Sequence, residues 1–390
     1  SLYQPDVIRL VVSAGGLPGA IAQASRERKQ RIDALVLTQV LPPQVTITTP
    51  GPLAGGVQAG ARPLEVKATA TSSGQHPVTA LRLLLDGRPF QGQQGLRPVT
   101  RPQLGQVTAL WSVLVPPGRH ILSVQAESAV SKGLSAPLEV VAPEGAPPSL
   151  YGVAIGVSAY PGDLRLHYAA SDAVLMAKTF RERSVGLFQK VDVHVLTDRD
   201  ATRARILQEL AWLGSVMTPQ DVGIVSFSGH GTRDPAGHFY LVPVDVRTRD
   251  IRHSCVSGDL IKQQLANMPG RLIALLDACH SGAVADEFRA SRPDNLVRDL
   301  VTDDYGVVVM CSSLGREYSI ESSQTRAGFF TLGVTEGLSG RADLNGDGIV
   351  YIHELDSYTA KRVSQLSGGK QHPVTGRPPG IRSFPLSRGQ

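Results

Sequence analysis

From Leu150 onward the chain repeats one pattern. Runs of apolar, largely β-branched residues (LYGVAIGV, VDVHVLT, VGIVSFS, RLIALLD, GVVVMCS) alternate with stretches of helical period at Ala169–Arg183, Arg203–Met217, Asp259–Met268, Phe329–Leu338 and Tyr351–Leu366. Strands apolar at successive positions need cover on both faces, which a mostly parallel sheet flanked by helices provides. The expectation is an α/β fold over residues 149–390, with QHPVTG as a last edge strand. Chemistry in such sheets collects at the carboxyl ends of the strands, so the residues just beyond each run are the first to inspect.

Upstream the period changes. Between residues 43 and 143, short segments such as QVTIT, LEVKATAT and TALWSVLV alternate apolar and polar positions, punctuated by Gly, Pro and Ser every 8 to 12 residues or so. This reads as a small all-β sandwich, Ig-like in size and spacing, joined by the linker PEGAPP. Residues 1–42 form a connector whose expected helix, Pro18–Val40, carries the basic run Arg26, Arg28, Lys29 and Arg31 as a solvated face.

Charge and cysteine usage narrow the function. The 39 Lys and Arg against 34 Asp and Glu leave a net charge of +5 over 390 residues, too little for a dedicated nucleic-acid binder. No apolar run approaches the 18 or so residues of a membrane span. Three cysteines without CxxC spacing argue against a disulfide framework or zinc site and for a reducing, cytoplasmic setting. Cys255 and Cys311 lack a neighbouring motif and read as structural thiols. The start at Ser1 suggests a piece of a longer protein, with an upstream domain or activating partner as a further expectation.

Two strand ends carry reactive groups. VGIVSFS runs into Ser228-Gly229-His230-Gly231, and RLIALLD runs from Asp277 through Ala278 into Cys279-His280-Ser281-Gly282. A thiol becomes a nucleophile near neutral pH when a base takes its proton, and an imidazole suits that task. Adjacent strands would bring Cys279 and His230 together, with glycines that let backbone N–H groups approach a substrate.

FSGHG followed 49 residues later by DACHSG resembles the His and Cys motifs of the caspase-like cysteine peptidases, in particular the metacaspase and bacterial orthocaspase branch. The resemblance implies a caspase-like sheet, protein substrates and a Cys-His dyad: Cys279 as nucleophile, His230 as general base and acid, and the N–H groups of Gly231 and Cys279 as oxyanion hole. No cofactor is needed for that chemistry. Asp277 stands where caspases carry Gln, and a carboxylate there favours a basic P1 residue. Metacaspases complete the Arg/Lys pocket with an aspartate and a serine at positions matching Asp172 and Ser228. The alternative is a catalytically silent caspase-fold interaction or calcium-sensing module.

Calcium is a further expectation. Asp343, Asn345, Asp347 and Glu354 occupy positions 1, 3, 5 and 12 of an EF-hand-like loop with Gly348 at position 6, between two expected helices. By resemblance alone, Asp245 and Asp286, with Asp259 as a weaker candidate, match the calcium aspartates of metacaspases. Arg289, Arg292 and Arg298 lie in the polar stretch after Cys279, where an Arg/Lys-specific enzyme would cut itself. Glu317 and Glu321 follow the fifth strand and border the cleft without an assigned role.

Overall fold

The computed structural model describes residues 41–49, 57–59, 63–234, 236, 238–278, 306–313, 319–322, 324–378 and 380–389. The expected helix Pro18–Val40 lies outside them. The contacts divide the chain into two compact units, one formed by residues up to 84 with 93–115 and 119–141, the other by 85–92, 116–118 and 142–390.

The first unit is built of strands. Gln44–Thr48, Leu64–Thr71 and Gln106–Val113 pair antiparallel in a three-stranded sheet. Val57–Gln58, Leu138–Ala142, Gly118–Ser128 and Val78–Leu85 run side by side in a second sheet. Val66, Ala68, Ala70, Trp111, Val113, Leu122, Val124 and Val140 are buried. Their alternation with exposed neighbours is the period-2 pattern of the sequence.

The second unit carries the α/β series. Its main strands are β1 (Leu150–Gly156), β2 (Val191–Thr197), β3 (Val222–Ser228), β4 (Arg271–Asp277), β5 (Val307–Cys311) and β6 (Val374–Gly376). They form one sheet in the order β2-β1-β3-β4-β5-β6. The first five strands are parallel, and β6 closes the edge antiparallel to β5. The longer helices are α1 (Ala169–Arg183), α2 (Arg203–Val216), α3 (Gly258–Asn267), α4 (Phe329–Glu336) and α5 (Ile352–Leu366). This is the mostly parallel α/β arrangement that the sequence pattern implied.

Each central strand feeds two cores. Val225, Phe227, Leu272, Ala274, Leu276, Val307 and Val309 pack with Ile206, Leu210 and Leu213 of α2 and Ile261 and Leu265 of α3. Ile224, Ile273, Leu275, Val308 and Met310 pack on the other side with Met176 and Phe180 of α1, Phe330 and Val334 of α4 and Leu355 of α5. Burial of both faces accounts for the unbroken apolar runs. Cys255 and Cys311 belong to the first of these cores, and burial pushes the Cys255 thiol up to about 12, so both are packing residues.

Local chemistry sets the element ends. Thr202 accepts from the Arg205 N–H to cap α2, and Ser257 from the Leu260 N–H to cap α3. The expected helix Phe329–Leu338 ends at Glu336 and passes into a wider turn, Gly337–Arg341, where Gly340 adopts φ 106°. Only glycine takes that backbone conformation without strain.

Candidate active site

The parallel register of β3 and β4 sets Ser228 opposite Asp277. The Gly229 N–H continues the ladder by donating to the Asp277 carbonyl, 3.1 Å. The two chains therefore leave the sheet level with each other, one towards His230 and the other through Ala278. Cys279 itself lies outside the described residues, as do Asp286, Arg289, Arg292, Arg298 and Glu317.

His230 is held on every side. Its carbonyl accepts from the Val242 N–H at 2.9 Å. The return bond of that antiparallel pair is replaced by the Tyr160 hydroxyl, which accepts from the His230 N–H (3.0 Å) and donates to the Val242 carbonyl (2.7 Å). The Tyr160 ring packs on the imidazole with centroids 4.6 Å apart. His230 Nε2 lies 2.7 Å from the Leu164 carbonyl. A carbonyl only accepts, so Nε2 carries the proton and Nδ1 keeps a free lone pair in the neutral ring. Burial pulls the imidazole below its ordinary pKa, against the opposing pull of the Leu164 carbonyl.

Gly231 and Leu241 form the next pair of the short hairpin. Hydrogen-bonded and non-hydrogen-bonded pairs alternate in an antiparallel ladder, so the Gly231 N–H points away from Leu241. A Cβ at Gly231 would stand 2.7 Å from the Phe239 ring and 2.8 Å from the Ala278 carbonyl. The absence of a side chain lets these two segments approach.

Beside His230 opens a pocket of about 160 Å³. Asp172, Ser228, Asp277 and Glu321 line it, with Leu166, Ser319, Ile320 and Gly328 completing the wall. Asp172 stands in the first turn of α1. That turn lies directly over β1, because a Cβ at Gly156 would fall 2.2 Å from the Ala169 carbonyl. The Asp172 carboxylate accepts from the Gly328 N–H at 3.1 and 3.2 Å and from Ser228 Oγ at 3.4 Å. Burial, reinforced by Asp277, pushes its pKa up to about 8. Asp277 is raised as well by burial, with hydrogen bonds from Ser319 and Ser312 opposing the shift. Glu321 accepts from the Tyr168 and His167 N–H groups at 3.1 and 3.4 Å. Among the described residues the lining includes three carboxyl groups and neither Lys nor Arg, and burial of Asp172 and Asp277 together disfavours their charged forms.

Asp172, Ser228, Asp277, His230 and Gly231 are thus brought to one place. The sequence left the role of Glu321 open and gave no signal for Tyr160 or the Leu164 carbonyl, since a backbone oxygen has no residue-type signature.

The calcium candidates lie elsewhere. Asp343 accepts from the Gly346 and Gly348 N–H groups (both 2.9 Å), Asp347 from Ile349 (2.8 Å), and Glu354 from Tyr351 and Leu344 (2.9 and 3.2 Å). Asn345 accepts from the Asp347 N–H at 2.8 Å. The donor set is oxygen-rich, as a hard cation requires, but among the described residues no three His, Cys, Asp or Glu side chains are gathered to hold a metal. Asp245 accepts from the Arg203 N–H at 2.9 Å, at the start of α2, and Asp259 is exposed beside Lys262.

The Caspase domain family matches residues 151–378. Metacaspase-2 of Trypanosoma brucei brucei is 29% identical over 191 residues, covering 44% of this chain and 53% of that protein. Inactive metacaspase-4 of the same organism is 31% identical over 153 residues, covering 35% of this chain and 41% of that one. Metacaspase-1A of Neurospora crassa is 30% identical over 154 residues, covering 34% and 32%. The chain spans about half, or less, of the length of these relatives. With its family match extending over more than half of its length, the chain belongs to the caspase domain family.

Proposed function

We propose that this chain is a cysteine endopeptidase that cleaves proteins after Arg or Lys. The observation that carries the reading is the pocket in which Asp172, Asp277 and Glu321 converge beside His230, with neither Lys nor Arg among the described residues that line it. A guanidinium or ammonium group entering it would pair with the Asp172 and Asp277 carboxylates, whose charged forms burial otherwise disfavours.

The Leu164 carbonyl at Nε2 supports a role for Nδ1 as the base in this chemistry. Nδ1 takes the Cys279 thiol proton, and the thiolate attacks the scissile carbonyl. The developing oxyanion accepts from the N–H groups of Gly231 and Cys279. Collapse of the tetrahedral species breaks the C–N bond, and His230 returns its proton to the leaving amine. Water, deprotonated by the same imidazole, then hydrolyses the thioester and restores the thiol.

Fluorogenic peptides varied at P1 test this directly. Arg and Lys substrates are expected to be cut at least 100-fold faster than Asp substrates, with activity lost in Cys279→Ala. Faster cleavage after Asp or an apolar residue would overturn the specificity. Self-cleavage at Arg289, Arg292 or Arg298 belongs to the same reading and would appear as fragments absent from Cys279→Ala.

The silent-module reading draws on one relative whose name marks it as inactive. The presence here of both Cys279 and His230 supports the catalytic one. Calcium at the Asp343–Glu354 loop is a proposal resting on its order of oxygen donors, and its role would be to stiffen the turn between α4 and α5.

A further inference from the structure

One buried amide behind the pocket belongs to none of the motifs that identify the family site. Gln371 follows α5 and is 0% exposed. Its Nε2 donates to the Ser312 carbonyl at 2.9 Å, and its Oε1 accepts from the Ile320 N–H at 3.0 Å. It therefore ties the segment leaving β5 to the segment that forms the pocket wall. Its own backbone is anchored, with its N–H donating to Ser367 Oγ at 3.0 Å.

Everything the wall contributes lies next to that tie. Ser319 precedes Ile320 and donates to Asp277, while its Oγ also lies 2.7 Å from Ser312 Oγ. Glu321 follows Ile320 and is held by the N–H groups at the start of α1. The Ile320 carbonyl accepts from the Phe329 N–H at 2.9 Å, next to the Gly328 N–H that serves Asp172. The Gln371 side chain thus spans Ser312 and Ile320 directly, adding a buried tie to the Ser312–Ser319 contact that positions Ser319 and Glu321.

We propose that Gln371 is a positioning residue for P1 recognition: by bridging Ser312 and Ile320 it holds the Ser319–Glu321 wall where its polar groups meet a basic side chain. It touches no substrate. This inference rests on the basic-P1 reading above, and it adds that specificity depends on the segment after α5.

Isosteric variants separate this role from simple packing. Gln371→Met fills similar space and loses both hydrogen bonds. Gln371→Glu reproduces the donor and acceptor only while its carboxyl is protonated. In a Cys279→Ala background, binding of an acetylated arginine peptide is measured by calorimetry between pH 5.5 and 8.5. In the active enzyme, KM and kcat for an Arg substrate are measured together with the rate at which iodoacetamide alkylates Cys279.

Gln371→Met is expected to weaken arginine-peptide binding and raise KM by about tenfold or more, with kcat and the alkylation rate within about threefold of the parent. Gln371→Glu should bind like the parent at pH 5.5 and fall behind it as the pH rises. Parent-like arginine binding in both variants across the whole range would overturn the role of Gln371. Failure of the parent itself to bind or cleave arginine peptides would instead overturn the basic-P1 reading on which it rests.

Discussion

Under the proposed basic-P1 reading, Asp172 would serve substrate recognition at the expense of stability. Its carboxyl is buried against Asp277 and its pKa is raised to about 8, whereas in the unfolded chain it titrates near 4. A raised folded-state pKa means that the protonated form is the one the fold favours. Its stabilising contribution is present below about pH 4 and is lost as the pH climbs through about 8. Asp172→Asn holds that position neutral. The variant should melt higher than the parent, by an amount of the order of 1–3 kcal/mol at neutral pH, and the gap should widen from pH 5 to pH 8 in thermal melts. Its cleavage after Arg should fall at least 100-fold. Tyr160 makes the opposite trade, since its hydroxyl joins the His230 N–H to the Val242 carbonyl. Tyr160→Phe keeps the ring and leaves both groups without that partner. A loss of about tenfold in kcat at unchanged KM is expected from steady-state kinetics.

At the scale of elements, the site depends on how closely α1 lies on β1. Gly156 ends β1, and a Cβ there would meet the Ala169 carbonyl at 2.2 Å and the Ala170 Cα at 2.8 Å. Backbone atoms at these distances cannot yield as a side-chain tip can. Gly156→Ala should displace the first turn of α1, and Asp172 with it, at a cost of about 2–4 kcal/mol measured by urea unfolding. Cleavage after Arg should fall more than alkylation of Cys279 does, because the pocket moves while the His230 turn is held by separate bonds. The loop between β1 and α1 is pinned independently: Asp198 accepts from the Ser158 and Ala159 N–H groups at 2.7 and 2.8 Å. That anchor holds the connection that carries both Tyr160 and Leu164, the partners of His230, so in the proposed function one connection would serve both catalytic orientation and substrate recognition.

Across the whole molecule, the Asp343–Glu354 loop is where a ligand would act on stability. If calcium binds there, adding it after chelation should raise the melting temperature, by about 2.7 kcal/mol of stabilisation at a hundredfold excess over the dissociation constant. An unchanged melt would remove calcium from the loop. The sequence alone determined the α/β order and its helices, because strands buried on both faces must be apolar throughout and helices must repeat near every 3.6 residues. It also marked His230 and Asp277, which stand at strand ends beside glycines and a thiol, whereas Asp172 and Ser228 entered only through the resemblance to the metacaspases. Only the tertiary structure decided which partners complete them. The Leu164 carbonyl and the Tyr160 hydroxyl lie 66 and 70 positions from His230, Glu321 lies 153 from Tyr168, and Gln371 lies 51 from Ile320. Hydrogen bonds over such separations depend on strand order and register, which no local pattern encodes.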